Sequence, residues 1–102
     1  MHVGGQADLV PGRLLEADVD GTPVVIVGTE AGPCALQGRC THAGANLVDG
    51  IVRGFEVECP LHGARFDVRT GEVLKGPARQ PLQTYETRLV DGAIEVCLGP
   101  SA

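Results

Sequence analysis

The chain has 102 residues, of which 15 are Gly, 7 are Pro and 43% are apolar, with a mean hydropathy of +0.10. That composition describes one small globular domain, residues 1–102, too rich in turn formers for long helices and too apolar for disorder. Eight cations against 13 carboxylates leave a net charge of −5, which excludes phosphate-backbone recognition, so no nucleic-acid partner is expected.

No run approaches the roughly 18 apolar residues of a membrane span, and the N-terminus lacks the basic and apolar regions of a secretory signal. A cytoplasmic protein with no membrane partner is expected. A domain of this size buries only about two-thirds of its unfolded surface, and Phe55, Phe66 and Tyr85 are its whole aromatic set. The core is therefore expected to be thin and open to reinforcement by a metal.

Read in chain order, short β-type runs alternate with Gly, Pro and Asp-Gly turns, and the fold class is all-β. Arg13 to Val19 and Thr22 to Val27 flank Asp20-Gly21, which predicts a hairpin closed by a two-residue primed turn. Pro33 to Gln37 is a further strand leading into a loop at Cys40 to Val48. Next come Ile51 to Arg53, Phe55 to Glu58, a second loop at Cys59 to Ala64, and a hairpin of Arg65 to Val68 with Glu72 to Leu74 around Thr70-Gly71. The two prolines of Gly76 to Pro81 keep that stretch out of a central ladder and predict a surface loop. Thr84 to Val90 and Ala93 to Leu98 flank Asp91-Gly92 and repeat the Asp-Gly hairpin signal.

The chemistry is concentrated in Cys40-Thr41-His42 and Cys59-Pro60-Leu61-His62. Each pair opens a loop directly after a predicted strand, with Gly44 and Gly63 close behind. Two such loops can converge on one point, and thiolate plus imidazole suits zinc or an iron–sulfur centre. Spacing favours the second: structural zinc sites usually space their paired ligands by two to four residues, tighter than which the Cys40 to His42 gap falls. In a two-iron cluster the paired ligands need not share a metal.

The segments CTHAGANL (Cys40 to Leu47) and CPLHGARFDVRTGEVLKGPA (Cys59 to Ala78) resemble the two cluster-binding boxes of Rieske-type [2Fe–2S] proteins, most of all the small ferredoxins of bacterial ring-hydroxylating dioxygenase systems. The resemblance covers about Cys34 to Tyr85. It implies a Rieske-like antiparallel sandwich or open barrel with a two-loop cluster-binding subdomain at about 38–78. It also implies one [2Fe–2S] cluster per chain, with Cys40 and Cys59 on the inner iron and His42 and His62 on the outer, solvent-nearer iron. Gly76-Pro77-Ala78 resembles the family's proline loop, with Arg79 where a second proline is frequent and Cys34 where an aromatic is common.

Two thiolates neutralise an oxidised Rieske core that four would leave at −2, so histidine ligation raises the potential into a range of roughly −150 to +300 mV. High-potential Rieske proteins add a disulfide between the boxes and Ser and Tyr hydroxyls that donate to sulfur. The matching positions here are Ala45 and Leu61, and Ala64 and Phe66. Without those donors the reduced state is less stabilised, and the low end of the range is expected.

The expected role is an electron carrier of an aromatic hydrocarbon catabolic system, taking electrons from an NAD(P)H-dependent flavin reductase to a terminal oxygenase. Ala43, Ala45, Leu47, Leu61 and Pro77 are expected to form an apolar docking cap, and the acidic background to steer a partner with a basic rim. The chain is not expected to be an enzyme by itself: oxygen activation needs a two-His, one-carboxylate iron site, and only His2, at a terminus expected to fray, remains beyond the two boxes. Cys34 and Cys97 are expected to be small core residues. Alternative readings are a Rieske small subunit of another redox complex, such as an assimilatory nitrite reductase, and a structural zinc-binding interaction module.

Overall fold

The computed structural model describes residues 10–41, 44–61, 63–76 and 78–97, and the backbone of 2–5. The elements are β1 (His2–Gly5), β2 (Leu14–Val19), β3 (Thr22–Thr29), β4 (Gly32–Gln37), a 3-10 turn (Leu47–Asp49), β5 (Ile51–Arg53), β6 (Glu56–Glu58), β7 (Arg65–Asp67), β8 (Val73–Lys75), β9 (Thr84–Val90) and β10 (Ala93–Cys97). The all-β expectation holds, and among the described residues no helix is long and apolar enough to cross a membrane.

The strands form two antiparallel sheets, a six-stranded one in the order β1-β10-β9-β4-β3-β2 and a four-stranded one in the order β5-β6-β7-β8. Both Asp-Gly signals close hairpins. Asp20 and Gly21 take φ of 52° and 85°, and Asp91 and Gly92 take 50° and 79°; the right-handed twist of the flanking strands asks for that pair of positive angles. The Asp18 carboxylate accepts the Gly21 N–H at 2.7 Å and stiffens the first turn.

Strand β3 explains how a thin-cored chain folds. Its neighbours β2 and β4 pair with it over nearly its full length, and Val24, Val25, Ile26 and Val27 are all fully buried. Because side chains alternate across a strand, Val25 and Val27 face the small sheet and meet Leu36, Val57, Phe66 and Val68. Val24 and Ile26 face the other way and pack with Ala35, Ile94 and Val96, with Tyr85 at the margin. The large sheet thus curls over one small core while its other face covers a second. Each fully buried Val, Ile or Phe stabilises by about 1.5–3 kcal/mol relative to exposure.

Three features depart from the sequence reading. His2 does not sit at a frayed end: its backbone belongs to β1, in register with Glu95 of β10. The β3 strand continues past Val27 to Thr29, where the Thr29 hydroxyl accepts the Ala31 N–H at 3.1 Å and donates to the Gly32 carbonyl at 2.7 Å, closing a turn that carries no Asp-Gly signal. Gly76, Arg79, Gln80 and Pro81 are exposed as expected, whereas Ala78 turns inward to the core shared with Cys40 and Cys59.

The β7–β8 connection is built by Asp67. Its carboxylate accepts the Arg69 N–H at 2.8 Å and pairs with the Arg69 guanidinium at 3.3 Å. Burial opposes ionisation of Asp67, but the Arg69 side chain and the N–H groups of Arg69 and Thr70 outweigh it and hold the carboxyl below its ordinary value. The same guanidinium lies 4.2 Å from the centre of the Phe55 ring, a cation–π contact that joins this connection to the turn between β5 and β6.

Candidate metal centre

The two Cys-containing loops are copies of one local design. In the first, the Cys40 N–H donates to the Ala45 carbonyl at 2.9 Å; in the second, the Cys59 N–H donates to the Ala64 carbonyl at 2.7 Å. Gly44 and Gly63, each four residues after its cysteine, take φ of 66° and 70°. A left-handed residue at that place turns the chain back so that the next carbonyl reaches the cysteine amide, and glycine adopts it without steric cost. These matched glycines are the reason each thiol sits at the base of a closed loop.

Each loop is then fastened to the scaffold. The Leu47 N–H reaches the Gly38 carbonyl at 2.9 Å, Arg39 bridges Asn46, and Leu47 itself is fully buried. The second loop springs from β6 and returns into β7, where Arg65 holds Glu58 at 3.1 Å across its mouth. A third segment closes the group: the Thr41 hydroxyl donates to the Gln80 carbonyl at 2.7 Å, joining residues 39 apart in sequence. The Leu82 N–H donates to the Gly71 carbonyl at 2.8 Å, so this strap is pinned to the small sheet as well.

Cys40 and Cys59 are 3% and 1% exposed, and both belong to the core between the sheets. The two thiols are neighbours within it, and both are free of any disulfide. Burial pushes the Cys59 thiol up, the Leu61 N–H directed at its sulfur opposes this, and the neighbouring Cys40 pushes it up further. A buried thiol such as Cys59 is a poor anion alone, and a metal ion is the kind of partner that stabilises a thiolate there. The structure thus brings Cys40 and Cys59 together; His42 and His62 lie outside the described residues, as do Ala43 and Pro77 of the expected docking cap.

Of the rest of that cap, Leu61 is 48% exposed and Ala45 is half-buried. Leu47 does not belong to it, because the 3-10 turn directs its side chain into the core. Ala64 and Phe66 are fully buried beside the thiols in the same core, and neither carries a hydroxyl. Cys34 packs at the edge of that core, where burial raises its thiol against a hydrogen bond with Thr29. Cys97 belongs to neither described core: it stands opposite Glu86 in the β9–β10 ladder, on the face away from Ile94 and Val96. The β1 strand and the Thr41–Gln80 tie left no mark in the local sequence pattern.

The Rieske [2Fe–2S] domain family matches residues 1–86. The chain is 37% identical over 83 residues to the ferredoxin component of the naphthalene 1,2-dioxygenase system of Pseudomonas putida, covering 81% of this chain and 80% of that protein. Among solved structures it resembles the ferredoxin of carbazole 1,9a-dioxygenase from Nocardioides aromaticivorans IC177, with a TM-score of 0.90 and 36% identity over 94% of each chain. A chain from the complex of reduced oxygenase and oxidized ferredoxin in carbazole 1,9a-dioxygenase also superposes with a TM-score of 0.90, at 30% identity over 95% of this chain and 100% of that one.

Proposed function

The chain belongs to the Rieske [2Fe–2S] domain family, and from that premise we propose that it is the electron-carrying ferredoxin of an aromatic-ring dioxygenase system. It takes single electrons from an NAD(P)H-dependent flavin reductase and delivers them to a terminal oxygenase. The observation that carries this reading is the pair of matched loops, each presenting a buried thiol at its base.

In this reading Cys40 and Cys59 hold the inner iron, and His42 and His62 the outer one. The donor set fits: two adjacent buried thiols supply soft anionic ligands where the surrounding core excludes water. The cluster, when bound, supplies a one-electron couple with a potential above that of an all-cysteine centre. The chain's own residues hold the two loops at a fixed separation through the Thr41 to Gln80 and Leu82 to Gly71 hydrogen bonds. Rigid ligand loops suit electron transfer, since little has to move between redox states.

The apolar character of Ala64, Phe66, Ala45 and Leu61 supports a potential at the low end of the Rieske range, matched to a flavin donor. The purified protein is expected to be brown, to bleach on reduction, and to give a reduced-state EPR signal of average g below 2, with a midpoint that is not clearly positive. His42→Cys or His62→Cys is expected to abolish electron delivery to the oxygenase. A colourless protein with one zinc per chain would overturn the reading; a clearly positive midpoint would overturn the low-potential part alone.

A further inference from the structure

The net charge of −5 is not spread evenly over the molecule. The three site segments with their immediate flanks, residues 39–49, 58–65 and 75–82, carry four cations, Arg39, Arg65, Lys75 and Arg79, against two carboxylates, Asp49 and Glu58. Glu58 is taken up by Arg65 at 3.1 Å. The other 11 carboxylates stand against only four cations in the rest of the chain. Arg39, Lys75 and Arg79 are all exposed, and among the described residues no ion pair engages them.

Their positions are set by the backbone ties of the site. Arg39 directly precedes Cys40 and bridges Asn46 across the neck of the first loop. Arg79 lies between Ala78, which packs in the core with both thiols, and Gln80, which takes the Thr41 hydroxyl. Lys75 ends the edge strand β8 in register with Arg65, the residue after the loop-closing Ala64. Exposed Leu61, 48% accessible, lies in the loop between Cys59 and Ala64, with exposed Pro60 and Gly44 on the same two loops. Three exposed cations next to the loops and the strap, on a chain that is otherwise acidic, make an uneven charge distribution.

We infer that this loop face docks on an acidic patch of the terminal oxygenase, with Arg39, Lys75 and Arg79 as the cationic rim around Leu61. This rests on the electron-carrier reading above and reverses the expectation of a basic-rimmed partner. The partner's carboxylates attract the loop face while the rest of the chain, strongly acidic, is repelled, so the encounter is both accelerated and turned to the productive orientation.

The test uses two outer-sphere oxidants of opposite charge, hexacyanoferrate(III) and tris(1,10-phenanthroline)cobalt(III), mixed with the reduced holoprotein in a stopped-flow instrument. One electron leaves the protein and one metal complex is reduced; no bond forms and no proton moves. Local attraction predicts that the hexacyanoferrate(III) rate falls as salt is added, although the protein is a net anion, because charges farther than about 8–10 Å are screened. Arg39→Glu/Lys75→Glu/Arg79→Glu is expected to lower the low-salt rate with hexacyanoferrate(III) by about tenfold or more and to raise it with the cobalt complex. Glu16→Lys/Asp91→Lys, remote in sequence from the loops, is expected to change neither by more than about twofold.

A readout independent of redox uses the inert anion hexacyanochromate(III), which is expected to broaden the amides of residues 78–83 more than those of the Asp20-Gly21 turn. A hexacyanoferrate(III) rate that rises with salt, or a triple variant that leaves it unchanged, overturns the inference while the carrier reading stands. A triple variant that slows reduction by the reductase and not delivery to the oxygenase also overturns it. A protein that does not bleach on reduction overturns the carrier reading, and this inference with it.

Discussion

At the scale of single residues, what this site lacks is as informative as what it holds. Ala64 and Phe66 share the core of Cys40 and Cys59 and are fully buried, so water cannot replace the hydroxyls that other Rieske centres place there. The Leu61 N–H is directed at the Cys59 sulfur, and it is a backbone group that side-chain substitution does not remove. Ala64→Ser is the least disturbing way to add another, since it enlarges the side chain by one atom and keeps the carbonyl that closes the loop on the Cys59 amide. A hydrogen bond to sulfur is stronger in the more negative reduced state. If the gain is about 1–1.5 kcal/mol, a one-electron couple moves up by about 40–65 mV at 59 mV per tenfold. A midpoint measured by spectroelectrochemical titration is therefore expected to rise by that order in Ala64→Ser, with Ala64→Val, which adds bulk and no donor, as the control that stays put. A fall, or equal shifts in both, would mean that packing and not hydrogen bonding sets the potential at this position.

At the scale of elements, legibility followed the range of the signal. The Asp20-Gly21 and Asp91-Gly92 turns, and the Gly44 and Gly63 loops, were readable because each is specified within a few residues by a positive φ that glycine supplies. The β1 strand was not, because His-Val-Gly-Gly carries a single apolar side chain and is held by backbone pairing with β10. Nor was the pairing of β4 with β9, Ala35 opposite Tyr85, since no local pattern states which distant strand returns alongside. The strap at 76–82 shows the same limit: two prolines marked it as loop, while its anchorage to Thr41 and Gly71 is a matter of tertiary contact. Gly71 is the critical point of that anchorage. It lies at φ 80°, and a Cβ there would collide with the Leu82 carbonyl, the residue whose N–H it accepts at 2.8 Å. Gly71→Ala thus combines a left-handed strain with a backbone clash, and a destabilisation of about 2–4 kcal/mol is expected, measurable as a lowered denaturation midpoint. The substitution should also loosen the strap, seen as faster amide exchange at Leu82. Unchanged stability would show that the strap shifts freely and does not brace the site.

At the scale of the whole molecule, the two cores stand on different footings. The core of Val19, Val24, Ile26, Ala35, Ile94 and Val96 is made by the six-stranded sheet alone and is wholly aliphatic. The other is shared between the sheets and includes Cys40 and Cys59, the proposed cluster ligands, among its buried members. The four-stranded sheet is built from strands of three residues each, and so short a sheet has little stability of its own. If Cys40 and Cys59 are ligands as proposed, metal ligation at the base of both loops is expected to contribute to folding as well as to function. Cluster removal by acid and chelator at low temperature, followed by return to neutral pH, is expected to lower the melting temperature sharply and to open the molecule unevenly. Hydrogen exchange is expected to accelerate by orders of magnitude at Leu47, Cys59 and Leu82, whose amides hold the loops and strap. The amides of Val24 and Ile26, in the centre of the large sheet, are expected to keep most of their protection, because their ladder and the aliphatic core beneath it contain no ligand residue. Equal loss of protection in both regions would show instead that the two cores fold as one cooperative unit, with the six-stranded sheet unable to persist without the ligated loops.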